Sequence, residues 1–240
     1  MAQIQIPAAD GSGSFDCLVV EPKAPQDGAA PAARGVVVLL QEIFGVNSAM
    51  HALSEWVADM GFIALTPDLF WRQQRNVVLE PDQGQDQWEQ AFKFMNGMDQ
   101  EKAVADIAAT IAHGRAIAGA NGKVGTMGFC LGGRLAFKAA TGTDADCNVS
   151  YYGVGLDGLV AEKPAFRGPL LMHIAEKDKF VPAEAQAKIL EGVKANPKVR
   201  AHVYPGVDHA FARMGGHSWD GRAATIANGR TAEFLVKYVG

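Results

Sequence analysis

A chain of 240 residues fits one large α/β domain or two small ones. Its composition is 48% apolar and 20% charged with a formal net charge of −4 and no basic run, which argues against a nucleic-acid binder, whose affinity needs clustered Lys and Arg to neutralise phosphates. The opening "MAQIQIPAADGSGSF" has no basic or apolar leader region, and no apolar run approaches the roughly 18 residues of a membrane span, so no signal peptide and no membrane partner are expected.

Three cysteines, Cys17, Cys130 and Cys147, have no metal-type spacing, and their odd number does not suit a disulfide framework. The expectation is a reduced, cytoplasmic protein without a bound metal.

Along the chain, "QIQIP" and "FDCLVV" suit an antiparallel edge. "GVVVLL" (35–40) is short, β-branched and continuous, as in a strand buried on both faces. In "SAMHALSEWVADMG" (48–61), Met50, Leu53, Val57 and Met60 recur at helical spacing up to a C-capping Gly61. "FIALTP" (62–67) is the next strand. The irregular segment 68–98, rich in Asp and Gln, reads as an active-site cap or a long excursion.

"DQEKAVADIAATIAHGRAIAG" (99–119) predicts a long helix with Val104, Ile107, Ala108 and Ile111 on one face. Then "KVGTMGF" (123–129) predicts a strand and "LGGRLAFKAAT" (131–141) a helix. "NVSYYG" (148–153), "PLLMHIA" (169–175) and "RAHVYPG" (200–206) are further strands, with helices around 183–194 and 218–238. Strand–helix alternation implies a mostly parallel sheet flanked by helices on both faces. No linker, composition break or repeat divides the chain, so one domain over 1–240 is expected.

"GFCLGG" (128–133) lies between a strand and a helix. Gly128-Phe129-Cys130-Leu131-Gly132 has the small residues two before and two after the centre that a nucleophile elbow demands. A buried cysteine in a Gly-rich turn is the bland alternative. In an α/β-hydrolase layout the acid and the histidine follow the nucleophile on late strand ends. Asp178 follows "PLLMHI" and His209 follows "AHVYP". Asp178 could instead be a turn or N-cap residue, with Glu176 a rival, and His209 an exposed loop residue. His51, His113, His202 and His217 fit the role poorly, and His173 reads as a packed strand residue. The oxyanion donors would be the N–H groups of Leu131, at the helix start, and Ile43, in the loop after "GVVVLL".

With these residues in place, the sequence resembles the dienelactone hydrolase family of α/β-hydrolases. The matching pieces are "QEIFGVN" (41–47), "PDLFWRQ" (67–73), "GFCLGGR" (128–134), "YYGVG" (151–155), "EKD" (176–178) and "DHAFAR" (208–213), in the family's order. The resemblance implies an α/β-hydrolase fold and a triad of Cys130, Asp178 and His209. It implies that Glu42 interacts with the resting thiol and helps ionise it when substrate arrives. It implies that Arg72 and Arg213 hold a substrate carboxylate and that Tyr151 lines the pocket. A guanidinium fork suits that carboxylate on physical grounds as well, although Arg75 competes with Arg72.

The reaction so implied is opening of a carboxylate-bearing enol lactone, dienelactone giving maleylacetate, through a thioester and without a cofactor. A thiolate is a stronger nucleophile than a neutral hydroxyl. A carboxylate beside it disfavours a second anion, so Glu42 would keep the resting thiol protected. The partner is then a small anionic lactone or ester, and a monomer is expected. A broader carboxylesterase or thioesterase on the same triad is the alternative. Glutamine amidotransferases carry an acid two residues after the histidine, where this chain has Phe211. A non-catalytic binding protein on this scaffold would leave the triad idle. A redox role for Cys130 lacks an obvious resolving cysteine.

Overall fold

Continuous β-branched runs become the middle of a sheet. The computed structural model describes residues 1–23 and 32–240. Its strands are β1 (Ala2–Pro7), β2 (Ser14–Val20), β3 (Arg34–Leu40), β4 (Ile63–Pro67), β5 (Ala120–Phe129), β6 (Cys147–Tyr151), β7 (Leu170–Ala175) and β8 (Val199–Tyr204). They form one eight-stranded sheet in the order β1-β2-β4-β3-β5-β6-β7-β8. The first hairpin and the β2–β4 pair are antiparallel, and every pairing from β4 to β8 is parallel. Val36 to Leu40 have no exposed surface. Burying each such side chain contributes at most about 1.5–3 kcal/mol.

The helices are α1 (Ser48–Asp59), α2 (Gln85–Gly97), α3 (Gln100–Ala116), α4 (Leu131–Gly142), α5 (Leu156–Ala161), α6 (Ala183–Val193) and α7 (Gly221–Val239). Polar caps start three of them. Asn47 accepts from Met50 N, Asp99 from Glu101 and Lys102 N, and Asp220 from Ala223 N. Strand alternation shows that α3 and α7 cover opposite faces. Gly114 of α3 sits against Val36 and Val124, whereas Gly125, one residue further along β5, faces Leu235 of α7. The sheet is thus flanked on both sides, the α/β-hydrolase arrangement expected from the sequence. Among the described residues, no helix is long and apolar enough to cross a membrane.

Two local differences matter. The 68–98 excursion contains a 3-10 turn at Pro81–Gln83 and the whole of α2. Only Ala91 of α2 is fully buried, so its apolar content is too thin to announce a core helix. Helix α3 is also rotated from its expected stripe. Ala103, Asp106, Ile107, Thr110, Ile111 and Gly114 are buried, while Val104 and Ala108 are only half-buried.

Behind the carboxyl ends of the strands, α7 is tied to the sheet by a buried polar chain. His173 bonds Tyr204 Oη (2.8 Å) and Thr231 Oγ1 (2.9 Å), and Thr231 bonds Tyr151 Oη (2.7 Å). Burial drives the His173 pKa well down, so its ring is neutral and both nitrogens are used in hydrogen bonding.

Candidate active site

Strand β5 runs into α4 through one strained residue. Cys130 adopts φ 56°, ψ −114°, a conformation that costs a non-glycine residue of order 1–3 kcal/mol. The turn is held by Cys130 N–H donating to Tyr151 O (3.0 Å) and by Cys130 O accepting from Arg134 N (3.1 Å). It also demands bare neighbours. A Cβ on Gly128 would collide with the Gly132 carbonyl, and one on Gly132 with the carbonyls of Leu40 and Gln41. Leu131 is the first residue of α4, so its N–H has no carbonyl within the helix to bond.

Two later loops bring the acid and the imidazole together. Asp178 Oδ1 accepts from Phe180 N (2.9 Å) and Val181 N (3.2 Å), leaving Oδ2 for His209 Nδ1 at 2.8 Å. Glu176 turns elsewhere and accepts from Gly206 N. Asp208 joins the loops by accepting from Lys179 N (3.1 Å) and His209 N (2.7 Å). The imidazole is flanked edge-on by Tyr152 and Phe180, each 4.9 Å between centroids. Burial alone would favour the neutral ring. The neighbouring Cys130 sulfur and the Asp178 carboxylate outweigh it and lift the His209 pKa to about 10.

The loop after β3 supplies Gln41, Glu42, Ile43 and Phe44. It is knitted to the excursion: Gln41 Oε1 accepts from Leu69 N (3.0 Å), and Phe44 O accepts from Leu79 N (2.9 Å). Glu42 Oε2 lies 2.7 Å from Arg213 Nε, and the guanidinium sits over the Phe44 ring at 5.4 Å. Burial opposes the Arg213 charge, but Glu42 beside it prevails and raises the pKa above its usual value. No hydrogen bond joins Glu42 to Cys130 among the described residues; the carboxylate is turned to the arginine.

Unsatisfied polar atoms gather here. Glu42 Oε1, Tyr152 Oη and His209 Nε2 are buried without a hydrogen-bond partner. Burial, followed by the Glu42 charge, keeps Tyr152 a neutral phenol. Such orphaned groups are rare in folded proteins and mark a place where polarity serves something other than packing.

Cys130, Ile43, His209 and Arg213 all line one cavity of about 210 Å³. Helix α2 forms much of its far wall through Trp88, Phe92 and Met95, spaced four and three residues apart. That stripe was available in the sequence as "WEQAFKFM". Its signal was masked by flanking glutamines and by the assumption that the excursion is irregular. Phe180, next to the acid loop, and Tyr152 were also missed.

Neither Arg72 nor Tyr151 reaches this cavity. Arg72 bonds both carboxylate oxygens of buried Asp106 (3.0 and 2.8 Å), and its Nη1 bonds Asp10 (2.8 Å) and Ser12 (2.7 Å). Its fork is therefore fully engaged in holding the excursion to α3. Arg75 is no substitute, because it bonds Ser14 O at the start of β2. Tyr151 ends β6, is stacked on Phe129 at 4.7 Å, and bonds Asn228 (3.0 Å) and Thr231 on α7. The next residue, Tyr152, takes φ 37° and turns its ring to His209 instead.

Comparison with known proteins identifies the family. The model of the dienelactone hydrolase family matches residues 15–239. A chain from Azospirillum brasilense, provisionally named carboxymethylenebutenolidase, is 51% identical over 241 residues, covering 100% of both sequences. The carboxymethylenebutenolidase of Pseudomonas putida is 42% identical over 233 residues, 97% of this chain and 94% of that one. A crystal structure provisionally named dienelactone hydrolase, from Klebsiella pneumoniae, superposes with a TM-score of 0.82 at 22% identity, over 99% of this chain and 98% of that one. That last likeness concerns the fold. The chain belongs to the dienelactone hydrolase family, a family of ester-hydrolysing enzymes.

Proposed function

We propose that this enzyme opens a carboxylate-bearing enol lactone, dienelactone giving maleylacetate, through Cys130, His209 and Asp178. One observation carries the reading. Cys130 sits on a strained elbow in the same cavity as an imidazole bound to a buried carboxylate and as Arg213. The thiolate adds to the lactone carbonyl, and the oxyanion forms between the N–H groups of Ile43 and Leu131, donors of a kind typically contributing ~3 kcal/mol each. Collapse breaks the ring C–O bond, and the enolate oxygen takes the proton from His209. Water deprotonated by His209 then cleaves the thioester, and the enol product tautomerises to the keto acid. Asp178 fixes the imidazole tautomer throughout.

The substrate carboxylate pairs with Arg213, competing with Glu42 for it. Release of Glu42 in this way links substrate arrival to the charge beside the thiol. This differs from the two-arginine clamp expected from the sequence, because Arg72 is engaged with Asp106.

A broader carboxylesterase or thioesterase is the second reading. It is favoured by the otherwise apolar walls, Phe44, Trp88, Phe92 and Met95 among them. The deciding experiment is kcat/KM for dienelactone beside an uncharged ester of similar size, on wild type and Arg213→Ala. A dienelactone preference that collapses in the variant supports carboxylate-guided lactone opening. Equal rates, unchanged in the variant, move the enzyme to the general esterases. Full lactonase activity in Cys130→Ala would refute the thiol mechanism.

A further inference from the structure

A second cavity, of about 220 Å³, adjoins the first and shares Trp88, Phe180, His209 and Arg213 with it. The two differ in chemistry. The inner one holds Cys130 with Ile43, Phe44, Phe92, Met95 and Val154, so the acyl carbon and the oxyanion belong there. The outer one adds Asp82, Lys179, Asp208, His217 and Ser218 to an apolar floor that includes Pro81 and Ala210. Trp88 stands on the boundary, fixed by its N–H donating to Pro81 O (3.0 Å) and by an edge contact with Phe44 at 4.9 Å.

From this we infer that the outer cavity is a leaving-group site and that the enzyme also hydrolyses acyclic esters of a short apolar acid with an uncharged, hydroxylated alcohol. The inference rests on the thiol–histidine chemistry proposed above. In that chemistry the departing oxygen must lie within reach of the imidazole that protonates it. His209 lines both cavities, so an acyl group in the inner one directs its alcohol into the outer one. A lactone's leaving oxygen stays tethered to its own acyl part, so lactone opening calls only on the part of the outer cavity that His209 and Arg213 share with the inner one.

Its walls select the alcohol. Apart from Arg213, which both cavities share and which the lactone carboxylate claims, the lysine of the outer lining is Lys179, and Asp208 pairs with it at 2.7 Å. Asp82 adds a further carboxylate, which disfavours an anionic leaving group. An apolar alcohol would desolvate these polar groups without replacing their hydrogen bonds. A hydroxylated neutral alcohol satisfies both conditions. The step balances: the Cys130 sulfur–carbon bond forms, the ester carbon–oxygen bond breaks, the alkoxide takes the His209 proton, and water then releases the acid.

The test measures kcat/KM for 1-butyrylglycerol, ethyl butyrate and dienelactone on wild type, Ser218→Trp and Asp82→Trp, with thermal melts to show that the variants fold. Ser218 and Asp82 stand on different segments of the outer wall, so one failed fold leaves the other informative. Wild type is expected to prefer the glyceryl over the ethyl ester by about tenfold. Either tryptophan should lower the glyceryl ester rate about tenfold, mainly through KM, while dienelactone changes less than about twofold. The inference is overturned if wild type shows no glyceryl preference, or if both folded variants leave that ester untouched or reduce ester and lactone equally. Turnover of 1-butyrylglycerol with the expected pattern, but none of dienelactone, would support the outer site and sink the lactone reading alone.

Discussion

Arg213 Nε lies 2.7 Å from Glu42 Oε2, and neither side chain is more than 13% exposed. Two opposite charges have been withdrawn from water together, so each depends on the other for its solvation. This dependence complicates any simple reading of an arginine deletion.

Arg213→Ala should destabilise the protein by about 3–5 kcal/mol, because it leaves the Glu42 carboxylate buried and uncompensated. Glu42→Gln added to Arg213→Ala should recover much of that loss. Urea titration of the wild type, both single variants and the double variant measures it. A single variant as stable as wild type would mean that Glu42 is already protonated or hydrated. The same double variant gives the cleaner background for testing whether charged substrates lose their advantage.

His209 carries a pH signature. An unfolded histidine titrates near 6.5, and the folded ring is raised to about 10. Its contribution to stability is therefore fully present below the unfolded value and is lost as pH rises through about 10. Replacing the thiol removes one of the two groups that raise the ring, so in Cys130→Ala the His209 pKa should fall toward the neutral side favoured by burial. NMR titration of the His209 ring reads both. A midpoint unmoved by Cys130→Ala would assign the elevation to Asp178 alone.

Arg72 should behave as a structural residue. Arg72→Ala strips the guanidinium from Asp106, which is 1% exposed and, among the described residues, keeps only the Trp71 N–H as a hydrogen-bond donor to its carboxylate. A loss of roughly 3 kcal/mol is expected from breaking a buried pair. The ratio of kcat/KM for charged over neutral esters should stay within about twofold of wild type. A selective loss on the charged substrate, with stability unchanged, would return Arg72 to the substrate site.

The same residues explain what could be read without coordinates. Strand β3 carries a continuous apolar run, Val36 to Leu40, whose burial on both faces dictates its composition, and β7 is apolar but for His173, so both were legible from it. The elbow was legible because glycine at 128 and 132 is enforced by backbone contact. Tyr151 and Tyr152 were not separable, since adjacent residues at a strand end face opposite ways and a positive φ at 152 redirects the second. Arg72 was misjudged because its partner is 34 residues away on α3, on a buried face the apolar stripe did not reveal. The wall formed by α2 escaped because its aromatic residues are only partly buried, packing on the core with one side and bordering the cavity with the other.

The backbone at position 130 is shaped by what surrounds it: a strand end, a helix start, the Tyr151 carbonyl and two glycines. None of these contacts involves the sulfur. The angle at which the chain presents a side chain is thus a property of the scaffold, while the reactive atom is a separate choice made at a single side chain. A change of nucleophile within this architecture needs no redesign of the turn; it needs only a side chain whose chemistry suits the His209 and Asp178 already facing it.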